Sequence, residues 1–250
     1  MTKKTNLTKE RTETVKITVV YDNNPMIENL LTDWGFSCLI EVENTRILFD
    51  TGNTGDILMS NMEKLGIDPQ SIDIVFLSHF HHDHTGGLDE FLKINSDVKI
   101  YYPKSFPLQI VYTIKYFVAE SFPVSSSVEI SHNIFSLGEI EGEIPEQSLI
   151  IRSTKGLIVI SGCAHPGIIN ILEKAKSVFQ GENIYLALGG FHLYRSNEQE
   201  IKNIIRNFSD MGIISVAPSH CTGNTARRMF QKVFNINYIE IGVGKIIKIN

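Results

Sequence analysis

The feature that most constrains this chain is a run of potential metal ligands that directly follows an apolar segment. Residues 72–77 are almost all apolar, the pattern of a strand covered on both faces, and the motif loop, residues 78–84, comes next. Side chains alternate along an extended chain, so His79, His81 and Asp83 are expected to point the same way. The fold must therefore bring the end of a buried strand to a place where several ligands can meet one cation.

The composition of the motif loop favours metal binding over a solvated polar loop. Four of the eight histidines of the chain lie in it, a concentration that exposure to water does not require. His84 joins the aligned ligands as the chain turns into a helix, whereas His82 has the opposite parity and is assigned to the surface or to a hydrogen bond with a ligand. Imidazoles and one carboxylate suit one or two divalent ions, most simply zinc, and iron and manganese use the same donor types.

Three more histidines follow predicted strands in the second half of the chain. His165, His192 and His220 each come directly after an apolar segment, and the ends of such strands are where sites assemble in α/β folds. We predict that His165 and His220 are metal ligands and that His192 is either a ligand or a substrate contact. His132 lies away from any motif and is predicted to be on the surface.

The hydrophobic pattern predicts an α/β protein that is strand-rich at first and alternating later. Early strands are predicted at residues 15–21, 36–42, 46–49, 72–77, 98–102, 128–130, 149–152 and 157–160, with a helix at 55–65. Helices at 167–179, 199–211 and 224–233 then alternate with strands at 184–188, 213–217 and 238–241. Such a pattern predicts a sandwich of two sheets between helical layers. Residues 103–127, rich in proline and aromatics, are predicted to form an irregular or short-helical insertion that acts as a lid.

Composition limits the domain organisation and the partners. With 42% hydrophobic and 20% charged residues in 250, the chain is expected to form a single domain over 15–250 after a flexible tail at 1–14. A net charge of −5 with scattered lysines argues against nucleic acid. No apolar run approaches the roughly 20 residues that cross a bilayer, and no hydrophobic signal segment begins the chain, so no membrane partner is predicted. Three widely spaced cysteines fit a reducing cytoplasm better than disulfides.

The spacing of the motif loop, His-x-His-x-Asp-His, resembles the metal motif of the metallo-β-lactamase superfamily, and the preceding Leu-Phe-Asp-Thr-Gly resembles the end of its first hairpin. The resemblance implies a four-layer αββα sandwich. It also implies that His79 and His81 serve one metal and that Asp83 and His84 serve the other. Asp50 would orient a ligand imidazole, although a turn residue fits that position equally well.

The chain departs from the superfamily's usual pattern at one position. Many members carry an aspartate or a cysteine after the strand that corresponds to residues 156–161, and here Cys163 stands at that place. No bridging aspartate is visible, so either Cys163 or His165 replaces it or a second metal is held weakly. Cys163 and Cys221 each lie within two residues of a candidate ligand, which fits thiolate ligands as well as small buried residues.

Segments at 22–25, 34–37, 161–165, 189–193 and 219–223 resemble the 7,8-dihydropterin-6-methyl-4-(β-D-ribofuranosyl)-aminobenzene-5'-phosphate synthase-like family. We expect a metal-dependent hydrolase of a small, possibly phosphorylated ester, in which Asp83 or an unligated His192 moves the proton to the leaving group. A synthase-like transferase and a non-catalytic metal-binding module are the alternatives. A redox di-iron enzyme fits less well, because such enzymes resemble a pattern with glutamate at the position of His81. The sequence selects neither a substrate nor an oligomeric state.

Overall fold

Two β-sheets pack face to face in the computed structural model, which describes residues 11–118 and 120–250. The strands are β1 (Val15–Asp22), β2 (Phe36–Val42), β3 (Thr45–Phe49), β4 (Ile74–Phe76), β5 (Lys99–Pro103), β6 (Glu120–Val124), β7 (Val128–Ser131), β8 (Ile134–Ser136), β9 (Leu149–Ser153), β10 (Gly156–Ser161), β11 (Ile184–Gly190), β12 (Ser215–Ser219) and β13 (Ile246–Ile249). The first sheet has the order β13-β1-β2-β3-β4-β5-β6, and the second has the order β12-β11-β10-β9-β8-β7.

Helices cover the outer face of each sheet. They are α1 (Gly55–Lys64), α2 (His82–Thr85), α3 (Leu88–Ile94), α4 (Leu108–Phe117), α5 (Ile168–Val178), α6 (Glu198–Asp210) and α7 (Asn224–Phe234). One apolar core, which includes Ile17 and Leu188, fills the space between the sheets. Two others join Leu58 of α1 to the first sheet and Phe208 of α6 to the second. The predicted four-layer αββα sandwich is therefore confirmed.

Alternation along the strands explains why both faces of each sheet are buried. In β1, Ile17 and Val19 belong to the core between the sheets, whereas Val20 belongs to the core under α1. Strand β4, with Ile74, Val75 and Phe76, is buried throughout, as its apolar sequence predicts. Each such side chain contributes about 1.5–3 kcal/mol when fully buried, so the layers are held mainly by apolar packing.

Parallel pairing brings the candidate ligands to one edge of the sandwich. Strand β4 pairs in parallel with β3 and β5, and β11 pairs in parallel with β10 and β12. The carboxyl ends of parallel neighbours lie at the same edge of a sheet. The motif loop leaves β4, and the loops that carry His165, His192 and His220 leave β10, β11 and β12.

The segment 103–127, predicted as an irregular or short-helical insertion, does contain a helix, but it is not an insertion, because its helix and strand belong to the fold. Helix α4 covers ten of its residues and packs Ile114 into the core, and β6 extends the first sheet in parallel with β5. Pro123 misled the prediction because proline is normally excluded from a sheet, but β6 is an edge strand with one neighbour, where the missing N–H is tolerated.

The end of the chain also differs from the prediction. Residues 238–241 were expected to form a strand, yet only Tyr238 makes a β-bridge, to Val216. This segment crosses from the edge of the second sheet to the first, and Ile241 packs between the sheets on the way. The true last strand is β13, which pairs with β1 and escaped prediction because it is short and alternates only weakly.

The predicted N-terminal tail lies mainly outside the described residues, which begin at Arg11. Within the range assigned to it, Thr12 is fully buried and bridges to Ser153, so packed structure begins before β1. Among the helices of the described residues, none combines the length and apolar character that a bilayer crossing requires.

Candidate metal centre

The motif loop turns its predicted ligands inward through the start of a short helix. His79 follows β4 and is fully buried, His81 is extended, and α2 begins at His82. This change of backbone direction buries His84 while His82 faces solvent. His81 and Asp83 are partly exposed, so the loop offers ligands both beneath the surface and at it.

The strand-end loops bring further imidazoles against the motif loop. The His165 ring centroid lies 4.8 Å from that of His79 and 4.7 Å from that of His81. His220 lies 5.1 Å from His84, and His192 lies 4.5 Å from His165. Six imidazoles from four loops thus meet at the edge of the sandwich.

Among the described residues, three of the four compact groups of possible ligand atoms share one thiol, and the fourth consists of Asp50, His79 and His84. Asp83, His84, Cys163 and His220 place one ligand atom each within 4.8 Å of one another, as do His79, Cys163 and His165. Cys163 also belongs to a group with His192 and Cys221. Among the described residues His81 belongs to no group of this kind, although its ring centroid is 4.9 Å from that of His79.

Asp50, at the end of β3, fixes the orientation of two imidazoles in the motif loop. Its Oδ2 accepts hydrogen bonds from Ser78 Oγ at 2.6 Å and from His84 Nδ1 at 2.7 Å, and its Oδ1 accepts from the Ser78 N–H at 2.7 Å. Because the Ser78 hydroxyl proton is given to Asp50, Ser78 Oγ accepts from His79 Nδ1 at 2.9 Å. Both imidazoles then carry a proton on Nδ1 and present Nε2 on the other side of the ring, where His84 Nε2 lies 3.2 Å from Cys163 Sγ.

A parallel arrangement holds His220 from the end of β1. Asn23 Oδ1 can only accept, and it lies 2.9 Å from His220 Nδ1. The neighbouring Asp22 is fully buried and accepts a 2.5 Å hydrogen bond from Ser219 Oγ. His220 Nε2 is thereby directed at Asp83, 3.2 Å from its Oδ2.

Unpartnered imidazole nitrogens show that the site suits a cation. His79 Nε2 and His165 Nε2 are buried, and neither has a hydrogen-bond partner within the part of the chain that the structure describes. A buried polar atom normally finds a partner. Burial and the surrounding imidazoles lower the pKa of His79 well below its ordinary value and that of His165 to about 3. Both are neutral at pH 7, the form that binds a metal.

His84 and Asp83 have pKa shifts that oppose their burial. Burial acts to lower the pKa of His84, but the Asp50 carboxylate outweighs it and raises that pKa to about 9. Burial acts to raise the pKa of Asp83, yet the His220 hydrogen bond and the His84 charge hold it well below its usual range. Asp83 is therefore ionised, and His84 carries a proton that a bound cation would replace.

Backbone strain is concentrated at the same place. Asp50, Ala164, His192 and His220 all have a positive φ, between 45° and 59°, a region that side chains other than glycine seldom adopt. Gly162 is required for close approach, because a Cβ there would lie 2.1 Å from Ser78 Oγ. Strain of this kind persists where the surroundings over-determine it, most often at functional sites.

The rim of the site is aromatic and carries one cation. Trp34, 45% exposed, packs its ring 4.8 Å from His220 and 5.9 Å from Tyr194. The Arg195 guanidinium lies 5.1 Å above the Tyr194 ring. A cavity of about 200 Å³ lies beside His165 and His192. A larger groove of about 790 Å³ between α6 and α7 is lined by none of the candidate ligands.

Sequence reasoning missed several residues that hold the ligands in place. Asn23 and Asp22 were treated as a break after the first strand, although a polar pair directly after a strand was a usable signal. Ser78 sat inside the motif loop without an assigned role. Glu146 is fully buried and contacts the backbone around Cys163, and nothing in its local sequence marks it.

Comparison with known proteins shows the family of the chain. The family model of the metallo-beta-lactamase superfamily matches residues 35–160. The 7,8-dihydropterin-6-methyl-4-(beta-D-ribofuranosyl)-aminobenzene-5'-phosphate synthase of Methanocaldococcus jannaschii is 32% identical over 262 aligned residues, 86% of this chain and 89% of the relative. The αββα layers define a fold of the α/β class, and the chain belongs to the metallo-β-lactamase superfamily.

Solved structures of other proteins share the fold of this chain. Tm1679, a metal-dependent hydrolase of the beta-lactamase superfamily, is 30% identical with a TM-score of 0.79 and covers 93% of this chain and 98% of its own. The short form of human tRNase Z is 13% identical with a TM-score of 0.58 over 94% of this chain and 99% of its own, a likeness of fold alone. The protein is an enzyme, and its relatives include a synthase and a hydrolase.

Proposed function

We propose that this protein is a metal-dependent hydrolase of a small ester or phosphoester. The observation that carries the proposal is the pair of ligand groups that share Cys163, with imidazole nitrogens that lack partners among the described residues. Asp83, His81 and His192 remain partly exposed at this place. A site that reaches solvent in this way supports catalysis better than a closed structural site does.

We assign zinc, or alternatively iron or manganese, to these residues. In this proposal His79, His81 and His165 hold one ion, and a second set holds the other. The second set is Asp83, His84 and His220, with Cys163 shared between the two. When bound, such an ion makes water a usable nucleophile near pH 7 and polarises a carbonyl or phosphoryl oxygen.

His192 is the better of the two predicted residues for moving a proton to the leaving group. Its hydrogen bond with Cys221 raises its pKa above the ordinary value, although burial acts the other way. A protonated fraction at neutral pH suits a general acid. Asp83 stays ionised, so it fits the role of a ligand, and Asp50 and Asn23 keep the imidazoles in place.

A transferase resembling the archaeal synthase is the second candidate, and the rim of the site favours it. Trp34 and Tyr194 offer two partly exposed rings for planar substrates, and Arg195 offers a charge for an anionic group. The same ligands would then neutralise a phosphate leaving group. A non-catalytic metal-binding module is the third candidate, and it would bind metal without turnover on any substrate.

We propose a small-molecule substrate, with no nucleic acid or membrane partner, for a protein of a reducing compartment such as the cytoplasm. The net charge of −5 disfavours a phosphate backbone as partner. Cys38, Cys163 and Cys221 are free and buried, which fits a compartment that keeps thiols reduced. A tRNA included among the substrates tests this point, because its cleavage would overturn it.

The test is elemental analysis of the purified protein, coupled to turnover on phosphodiester, thioester and lactone substrates. His81→Ala is the decisive variant, and His82→Ala, on the solvent side of α2, is its matched control. We expect His81→Ala to lose most metal and hydrolysis together while the control keeps both. Full metal content with unchanged turnover in His81→Ala would refute the site assignment.

A second assay separates the candidates. The protein is incubated with a dihydropterin and a ribosylated aminobenzene phosphate, and products are followed by mass spectrometry. Condensation without hydrolysis of the ester panel would favour the transferase. Bound metal with no product in either assay would favour the binding module.

A further inference from the structure

Glu146 is a buried carboxylate that receives an unusual set of hydrogen bonds. It lies just before β9 and is fully buried. Its Oε1 accepts from the backbone N–H groups of Gly162, Cys163 and Ala164 at 2.9, 3.1 and 3.0 Å. Its Oε2 accepts from the His165 N–H at 2.9 Å. Four consecutive N–H groups therefore close around one side chain.

This arrangement determines the shape of the loop between β10 and α5. Ala164 has a φ of 59°, and consecutive N–H groups can converge on an anion only when the backbone takes such a turn. Without Glu146 three buried donors and the part-buried His165 N–H would lose their acceptor, a state that the loop would relieve by changing conformation. The loop carries Cys163 and His165, which occur in the compact ligand groups.

The residue after Glu146 attaches the same segment to the motif loop. Gln147 donates from its backbone N–H to Ser78 O at 2.9 Å and from Nε2 to Leu77 O at 2.9 Å. Residues 146 and 147 therefore contact the exit of β4 on one side and the exit of β10 on the other. Displacement of this segment would change the distance between the two loops.

We propose that Glu146 is a positioning residue that sets the loop of Cys163 and His165 opposite the motif loop, so that ligands from the two sheets fit one centre. It acts through the backbone and touches neither cation nor substrate. The proposal rests on the metal centre proposed above. Its structural part, the shape of residues 162–165, is measurable in protein stripped of metal.

The first test is amide hydrogen exchange by NMR on metal-free protein, with Glu146→Ala, Glu146→Gln and Asn95→Ala. Asn95 is the matched control because its buried side chain also hydrogen-bonds backbone, at Pro69 and Ile72. We expect Glu146→Ala to speed exchange at residues 162–165 by about tenfold or more, with no change there in Asn95→Ala. Unchanged exchange at 162–165 in Glu146→Ala would overturn the proposal.

Glu146→Gln keeps the test valid if the alanine variant does not fold. Glutamine retains one oxygen for the N–H groups of residues 162–164, but its NH₂ group would face the N–H of His165. We therefore expect faster exchange at His165 and near-normal exchange at Gly162 and Cys163. Equal protection of all four amides would contradict the role.

The second test is titration with Co²⁺, read through the sulfur-to-cobalt charge-transfer band that a thiolate ligand produces. Glu146→Ala or Glu146→Gln should weaken binding by about 10–100-fold, as loss of outer hydrogen bonds does, and should reduce this band. Asn95→Ala should preserve both. Unaltered affinity and band in the Glu146 variants would overturn the proposal. If His81→Ala binds Co²⁺ like the unmodified protein, the metal-centre proposal fails instead, and the exchange data still decide the role of Glu146.

Discussion

The two halves of the candidate metal centre are built by different means. The motif loop supplies its ligands from six consecutive residues, through one strand end and the start of one short helix. The other half comes from three separate strand ends, where Ala164, His192 and His220 have strained backbone. The first half is a local property of sequence. The second exists only because parallel pairing of β10, β11 and β12 brings three loops together.

Loss of a ligand in the motif loop should have the largest effect. His79→Ala removes a buried imidazole whose Nε2 has no hydrogen-bond partner in the described chain. We expect metal affinity to fall by more than about 100-fold, because loss of outer hydrogen bonds alone costs about 10–100-fold. Metal content after dialysis and isothermal titration measure this loss of affinity. His82→Ala is the control, and equal metal content in the two variants would contradict the role of His79 as a ligand.

The strand-end half is tested by His220→Ala, with His132→Ala as the surface control. His220 Nε2 faces Asp83 at 3.2 Å, so its loss should remove the ion of the second group and leave the first occupied. We expect about half of the metal of the unmodified protein if two ions are bound, and turnover reduced by at least about tenfold. Elemental analysis of His220→Ala measures its metal content. If this variant retains all of its metal, the centre is formed by the motif loop without His220.

A change behind the motif loop should be smaller. In the native protein both carboxylate oxygens of Asp50 accept hydrogen bonds. Asp50→Asn keeps one of these acceptors and turns an NH₂ group towards either Ser78 or His84. Metal affinity should decrease by about 10–100-fold, because the imidazoles lose the acceptor that fixes Nδ1 as donor. Competition with a chelator gives the affinity. Unchanged affinity would return Asp50 to the role of a turn residue.

Proton release should give the smallest signal. Asp50 outweighs burial and raises the pKa of His84 to about 9, so the metal-free protein at about pH 7.5 carries a proton there. Metal must displace it, so affinity should rise with pH, and about one proton should be released from His84 in addition to the one that the Cys163 thiol loses when it binds as thiolate. His79 and His165, already neutral, should release none. Calorimetry in buffers of different ionisation enthalpy measures the release. Asp50→Asn removes the charge that keeps His84 protonated, so this variant should release fewer protons. Equal proton release by the variant and the unmodified protein would contradict the pairing of His84 with Asp50.

The same contrast explains what the sequence could predict. The layers and the motif loop follow from apolar periodicity and ligand spacing, which are local. Asn23 and Glu146 act on loops far away in the chain, through contacts that exist only after the two sheets have packed. Strand β6 was missed because an edge strand tolerates Pro123, and edge position is a property of the complete sheet.

One measurement tests whether both halves meet on one centre: anomalous X-ray scattering from crystals of metal-loaded protein. We expect one or two metal peaks, each with ligands about 2.0–2.3 Å away. At least one peak should contact a motif-loop residue, such as His79 or His84, together with a strand-end residue, such as His165 or His220. Peaks bound by the motif loop alone, or no peak between the two halves, would contradict the proposed centre.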